Sequence, residues 1–362
     1  MTRRRLVVIG PVPPPSHGVA ISTSLVLANP LLHRRFDVEH LDTSDPRSLA
    51  NIGRWDWTNV RLGLEHSARL AFKVVRHHRV VYLPLSENLP GYLRDSLFIV
   101  VASAAGSRVA IHVRNSEFQK FYRSRGRVIQ AWIRFSLRRA TSVAVLGRSL
   151  IPLFQGLYPT DRIVVVENGT PDIGSGPTER APTVLFLSNL RRAKGFLVAL
   201  DCAALVLERH PDVRFVFAGE WGDPDVRQEA LARTRKLGDR VSILPAVSGS
   251  QKVELLQSAA VLLCPTIIGE GQPRVILEAM AAGTPIIATD RGAVRDTVEH
   301  GVTGYVLPDP VPAQLASRII ALLADANHRQ SLGAAARAHY LKRFTQERAD
   351  ARLADWLSVV AR

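Results

Sequence analysis

Two doubly wound α/β domains are what this sequence predicts, and three observations predict them. Short apolar, β-branched runs alternate with helix-length segments from one end of the chain to the other. A turn-rich stretch poor in apolar residues, Glu167-Asn-Gly169-Thr-Pro171-Asp-Ile-Gly174-Ser-Gly176-Pro177, interrupts the alternation near its middle. The length of 362 residues also exceeds the roughly 250–300 at which single cores stop growing.

The strands follow in order. The first half offers Leu6-Val-Val-Ile, Val80-Val-Tyr-Leu, Val109-Ala-Ile-His-Val and Ser142-Val-Ala-Val-Leu. The second offers Thr183-Val-Leu-Phe-Leu, Val213 to Gly219, Val241-Ser-Ile-Leu, Val261-Leu-Leu-Cys and Pro285-Ile-Ile-Ala-Thr. Continuous apolar runs of this length, separated by helical stretches, mean parallel strands buried on both faces. The linker is placed at about 168–181, dividing a first domain over 1–168 from a second over 181–344. The last helical segments, 325–362, carry Tyr340, Phe344 and Trp356 at spacings suited to packing.

Composition bounds the function. The Arg-rich start imitates a signal peptide, but its apolar run is only Leu6 to Ile9 before Gly10 and a proline cluster, so it reads as a first strand. The longest apolar run, Leu97 to Ala105, is about half of what a membrane span needs. A cytoplasmic protein, soluble or resting on the inner face of the cytoplasmic membrane, is therefore expected. Cys202 and Cys264 have no metal-site spacing and read as packing residues in a reducing compartment. His77 and His78 read as surface residues.

Net charge is +15, and it is unevenly placed: residues 1–170 carry 24 Lys+Arg against 11 Asp+Glu, the remainder 23 against 21. Much of the excess lies in Arg114, Lys120, Arg123, Arg125, Arg127, Arg134, Arg138 and Arg139, interleaved with Phe118, Phe121, Tyr122, Trp132 and Phe135. Such a segment suits anionic lipid, a polyanion or a pyrophosphate-bearing substrate. A solvated helix face with its apolar side in the core explains it equally well. No nucleic-acid-binding module accompanies the charge, so nucleic acid is not expected as a partner.

The most informative stretch is Pro265-Thr-Ile-Ile-Gly-Glu270-Gly-Gln-Pro273-Arg-Val-Ile-Leu-Glu278-Ala-Met-Ala-Ala-Gly283-Thr-Pro285. Pro273 suits a first helical turn and Gly283 the position past a helix end, so a helix over about 273–282 is predicted. Glu270 then lies in the loop at its N-terminus and Glu278 about 8 Å further by helical rise. This geometry suits a phosphate flanked by two hydroxyl-bearing rings: helix dipole and N–H groups for the anion, one carboxylate for each ring. Taken alone, the same pattern also fits a capping Glu270 and a solvated Glu278.

Other candidates lie where strands end. Lys194, in Phe186-Leu-Ser-Asn-Leu-Arg-Arg-Ala-Lys194-Gly195, follows a strand and opens a helix, so its ammonium can reach an anion at that helix's N-terminus. Gly10-Pro-Val-Pro-Pro-Pro-Ser-His17-Gly18 joins the first strand to its helix, and Gly18 lets backbone approach a phosphate. The absence of a G-x-G-x-x-G fingerprint argues against a dehydrogenase. His112 lies at a strand end, where α/β sheets bind ligands; a structural histidine bonded to backbone is the other reading.

The Glu270 to Glu278 segment, continued in Pro285 to Ala293 and in Glu299-His-Gly301-Val-Thr-Gly304-Tyr, resembles the signature of the family 4 retaining nucleotide-sugar glycosyltransferases (glycosyl transferases group 1). The likeness is specific over 181–308 and fainter before. It implies the GT-B fold, two Rossmann-like domains facing a central cleft, with a final helix of about 345–362 crossing back to an acceptor-side first domain and a donor-binding second one. It implies a UDP- or GDP-linked sugar as donor, a hydroxyl of a glycan or lipid-linked acceptor, and no cofactor. It further implies that Lys194 contacts the diphosphate, Glu278 the ribose, Glu270 the donor sugar, and that His112 points at that sugar. Backbone N–H groups from about Gly271 to Val275, those of Gly271, Gln272 and Val275 with Pro273 at the helix start between them, would hold sugar and phosphate.

Two departures stand out. Ser188-Asn189 replaces the family's Gly-Arg, leaving Arg191 or Arg192 to supply the diphosphate charge near Asn189. Gln272 occupies a position more often aromatic, beside the expected sugar pocket. No Asp-x-Asp motif in strand context appears, so metal-independent transfer is expected. A non-catalytic sugar-nucleotide binder or assembly protein on the same fold is the rival, and a polyanion-binding protein a third reading.

Overall fold

The computed structural model describes residues 4–13, 18–44, 57–75 and 79–362. His77, His78 and residues 14–17 of the proline-rich loop lie outside the described residues. The chain forms two compact units, 1–167 with 349–362, and 168–348.

The first unit holds a parallel sheet of β1 (Arg4–Gly10), β2 (Phe36–Asp42), β3 (Val80–Leu85), β4 (Arg108–Val113), β5 (Ser142–Val145) and β6 (Ile163–Val165), ordered β2-β1-β3-β4-β5-β6. β3 is buried at every position, as a strand covered on both faces must be. The ladder between β1 and β3 covers Val80 to Tyr82, while β4 continues to pair as far as Leu85. Pro84 has no N–H to give a ladder, so β1 and β3 separate at their carboxyl ends, where the strand order reverses.

The end of the chain completes this unit. The helix Gln346–Val360 buries Leu353, Ala354, Trp356, Leu357 and Val360 in one cluster with Leu6, Val8, Val80 and Tyr82. Trp356 meets the Tyr82 ring edge-on, and its Nε1 donates to Ser142 Oγ at 2.9 Å. Asn29 Nδ2 donates to the Asp350 carbonyl and Arg35 pairs with Asp355, fixing the helix on its polar side.

The second unit holds β7 (Thr183–Leu187), β8 (Arg214–Ala218), β9 (Val241–Leu244), β10 (Val261–Cys264), β11 (Ile286–Thr289) and β12 (Gly304–Leu307), again all parallel, ordered β12-β11-β10-β7-β8-β9. Side chains alternate between two cores: Val184 and Phe186 enter one with the helix Phe196–Arg209, and Leu185 enters the other with the helix Arg274–Ala281. The order reverses between β7 and β10, which places the ligand crevice of a doubly wound sheet at the loops following those two strands.

Three strands escape the sequence reading: β2, β6 and β12. All are edge strands, and an edge position relaxes the demand for uninterrupted apolar residues. β2 (FDVEHLD) accordingly mixes buried and exposed positions, β6 has only three residues, and β12 opens on a glycine. The turn-rich stretch read as a linker is fitted to the second unit. Gly176 N–H donates to the Ala282 carbonyl, Arg180 donates to Ala282 and to Thr284 Oγ1, and a Cβ at Gly176 would lie 2.2 Å from the Gln257 carbonyl oxygen. Glycine and proline there serve a close-fitting strap rather than slack.

Trp356→Ala removes a buried ring and its hydrogen bond to Ser142 Oγ; it is expected to destabilise the first unit by about 3–5 kcal/mol, measured by chemical denaturation with a probe in that unit.

Candidate functional site

The site of the second unit is built by backbone packing between loops. After β7 the chain makes a single tight turn, Arg192–Lys194, ending at Gly195 with φ of 74°. A Cβ at Gly195 would sit 1.9 Å from the Pro265 carbonyl oxygen, so only glycine lets this loop touch the loop that follows β10. Ile267 and Ile268 N–H groups both donate to the Ala193 carbonyl, closing the contact. On the other side, Ala293 N–H donates to the Gly271 carbonyl at 2.7 Å, and a Cβ at Gly292 would lie 1.9 Å from the Glu270 carbonyl oxygen. The segment 265–273 is thus gripped from both flanks.

Within that frame, Lys194 Nζ and Glu270 Oε1 form an ion pair, with side-chain exposures of 27% and 15%. Pro273 caps the helix Arg274–Ala281, one residue earlier than the predicted start within the helix. Its first turn, where the Ile276 N–H donates to the Pro273 carbonyl at 3.2 Å, carries the positive end of the helix dipole. Glu278 lies in the middle of this helix and accepts from Lys252 Nζ at 2.7 Å. The two carboxylates are therefore each matched with a lysine beside a helix N-terminus. Lys252, on the helix Gly249–Ser258, is the residue the sequence reading missed. No sequence motif marks it.

Several expected donor contacts stand elsewhere. Arg192 donates to Asp225 at 3.2 Å and to Glu229 at 3.0 Å, and Arg191 lies 3.7 Å from Asp223 while filling the space over Gly222. In the ligand-free chain both arginines thus pair with acids at and near the start of the helix Pro224–Leu237. Asn189 is exposed in the loop after β7. Val275 is half-buried and Gly271 buried in the loop and first turn as read. The Gln272 side chain is only 4% exposed and turns into the unit, accepting from the Asn168 N–H at 2.7 Å and donating to Thr297 Oγ1 at 3.0 Å. Cys264 stays a neutral thiol because burial pushes it up to about 11, with the Glu270 charge adding to the shift.

In the first unit, Gly18 opens the helix Gly18–Leu27, and a Cβ there would meet nothing within 4 Å. His112 does not stand free at the end of β4. It is 2% exposed and lies edge-on to both Tyr82 and Trp356. Arg114 Nη2 donates to Tyr82 Oη at 2.9 Å, so the Tyr82 hydroxyl donates to His112 Nδ1 at 3.0 Å and the ring carries its proton on Nε2. Burial first, and the Arg114 charge second, hold the imidazole well below its ordinary pKa, while the Val166 carbonyl pulls the other way. His112 is thus a neutral ring packed against Tyr82 and Trp356. Glu87, just after β3, has its carboxyl pushed up to about 8 by burial, opposed by a hydrogen bond from the Glu117 N–H.

Comparison with known proteins follows this division. Residues 173–339 match the family described as Glycosyl transferases group 1, and the second unit belongs to that family. The chain is 34% identical over 156 residues to spore coat protein SA of Bacillus subtilis, covering 41% of each chain. It is 35% identical over 142 residues to the phosphatidyl-myo-inositol mannosyltransferase of Mycobacterium leprae, covering 39% of this chain and 37% of the relative. The chain thus spans about two fifths of the length of these curated relatives. Over the whole chain the fold is GT-B. The crystal structure of Anabaena Alr3699/HepE in complex with UDP matches with a TM-score of 0.76 at 18% identity, covering 98% of this chain and 100% of that one. The sucrose-phosphate synthase of Thermosynechococcus elongatus matches with a TM-score of 0.74 at 18% identity, over 97% and 98%.

Gly195→Ala forces a side chain into positive φ and against the Pro265 carbonyl. A loss of about 1–3 kcal/mol in stability is expected, together with faster amide exchange over 190–195, where Lys194 sits, as read by hydrogen exchange.

Proposed function

We propose that this chain is a retaining glycosyltransferase, independent of a bound metal, that moves a sugar from a UDP- or GDP-linked donor to a hydroxyl of a glycan or lipid-linked acceptor. The observation that carries this reading is the pairing of Lys194 with Glu270, in the loop before the helix Arg274–Ala281, and of Lys252 with Glu278, in the middle of that helix, in a unit that matches the glycosyl transferases group 1 family. A diphosphate between the pairs draws Lys194 and the first-turn N–H groups of the helix Arg274–Ala281. Glu270, released from Lys194, accepts from hydroxyls of the donor sugar, and Glu278 accepts from the ribose. As the anomeric C–O bond to the diphosphate breaks, its electron pair stays on the departing oxygen and the acceptor oxygen bonds to the same face of that carbon. The acceptor proton passes to the departing phosphate. No protein nucleophile is required, so Glu270 orients and does not bond covalently.

Glu278→Ala and Lys194→Ala are each expected to lower turnover of the donor by at least about a hundredfold, read by mass-spectrometric detection of nucleotide-sugar hydrolysis over a donor panel. Full activity in either variant removes the assignment. Nucleotide affinity in titration calorimetry without turnover of any donor favours the non-catalytic binder instead.

A second observation favours work at a membrane surface. Between Phe118 and Arg139 there are seven cationic residues and no Asp or Glu. The helix Arg127–Leu137 buries Ile133 and Leu137 but turns Val128, 81% exposed, and Phe135 outward. The Arg139 guanidinium lies 3.7 Å above the Phe135 ring. An apolar stripe edged with arginines suits the headgroup region of anionic lipid and supports a peripheral seat at the inner face of the cytoplasmic membrane. Vesicles containing anionic lipid should sediment the protein at low salt, and vesicles of neutral lipid should not. Val128→Glu with Phe135→Glu should abolish sedimentation.

A further inference from the structure

We infer that Gln272 is a positioning residue: it holds the loop carrying Glu270 in place by tying it to the segment through which the chain enters the second unit. This inference rests on the reading of Glu270 as a donor contact. Thr297 Oγ1 gives its own proton to the Ala293 carbonyl at 2.8 Å, so toward Gln272 it can only accept. That fixes Nε2 of Gln272 as the donor to Thr297 and leaves Oε1 to accept from the Asn168 N–H. Asn168 answers with its own side chain, Nδ2 donating to the Gln272 carbonyl at 3.1 Å. One turn on, Arg274 Nη1 donates to the Gly169 carbonyl at 2.8 Å.

The segment so tied is itself a fixed point. Thr170 N–H donates to the Phe344 carbonyl at 3.0 Å, and the Tyr340 hydroxyl donates to the Thr170 carbonyl at 2.9 Å. The chain's entry into the unit and its last turn there are joined, and Gln272 links that junction to Glu270, two residues away. An apolar or aromatic side chain at 272 leaves the buried Asn168 N–H and Thr297 Oγ1 without these partners, a cost no packing gain removes.

The test uses the full chain with Gln272→Met, of similar length and without hydrogen-bonding groups, and Gln272→Glu, which keeps the acceptor for Asn168 and loses the donor to Thr297. In the ligand-free protein, amide exchange at Asn168 and over 268–273 is expected to be about tenfold faster in Gln272→Met, with exchange in the helix Phe196–Arg209 unchanged. With the nucleotide sugar that the unaltered chain hydrolyses, the donor KM is expected to rise about tenfold and kcat to change less. At pH 8 Gln272→Glu should leave Asn168 protected but speed exchange over 268–273 and raise the donor KM, and it should recover below about pH 5, where a protonated carboxyl donates as the amide does. Unchanged exchange in Gln272→Met, a donor KM equal to that of the unaltered chain, or no acid recovery of Gln272→Glu overturns the inference. If the unaltered chain turns over no nucleotide sugar, the proposed function fails, while the exchange measurement still decides whether Gln272 anchors the loop.

Discussion

Everything in the second unit depends on the approach of two loops at the junction of β7 and β10. These neighbouring parallel strands feed helices that lie in different cores, one in the cluster of Phe196 and Leu200, the other in that of Ile276 and Met280. Their loops consequently open onto one crevice, and the crevice exists only if the backbones meet without side chains between them. Gly195 against the Pro265 carbonyl is that meeting, and Gly292 against Glu270 repeats it on the next loop. The positions of Lys194 and Glu270 are consequences of backbone contact; the side chains themselves have little say in it.

The electrostatics follow from that confinement. Glu270 and Glu278 are mostly withdrawn from water, where a carboxylate without a partner is costly. Lys194 and Lys252 meet that demand. On the proposed reading, a bound donor exchanges partners: hydroxyls replace the ammonium groups at the carboxylates, and phosphate takes up the freed cation. Arg191 and Arg192 pair in the ligand-free chain with Asp223, Asp225 and Glu229. The first unit shows the contrasting case, a histidine at a strand end whose surroundings remove its charge. Tyr82, Trp356 and Arg114 make His112 a packing element of the sheet and of the helix that closes it.

Inner strands were legible in the sequence because burial on both faces demands unbroken apolar runs; β1, β3, β4, β5, β7, β8, β10 and β11 all announce themselves in this way. β2, β6 and β12 did not, since an edge strand tolerates Asp37, Glu39 or an opening Gly304. The paired glutamates and Lys194 were legible as a motif with a mechanical reason behind its spacing. Lys252 was not, because its relation to Glu278 crosses 26 residues and no periodicity encodes it. Gln272 misled for a related reason: its neighbours in sequence belong to the donor loop, whereas its amide is answered by Asn168 and Thr297, 104 and 25 residues away.

By itself, then, the sequence determined the alternation of buried strands and helices, the division into two doubly wound units, and which residue types stand at the strand ends. Those follow from local rules of burial, helix capping and turn chemistry, which act over a few residues. Tertiary structure alone decided which of the basic and polar side chains remain for a ligand. Hydrogen bonds and ion pairs are made with whatever the fold brings within about 3 Å, and that company is assembled from strands and loops far apart in the chain.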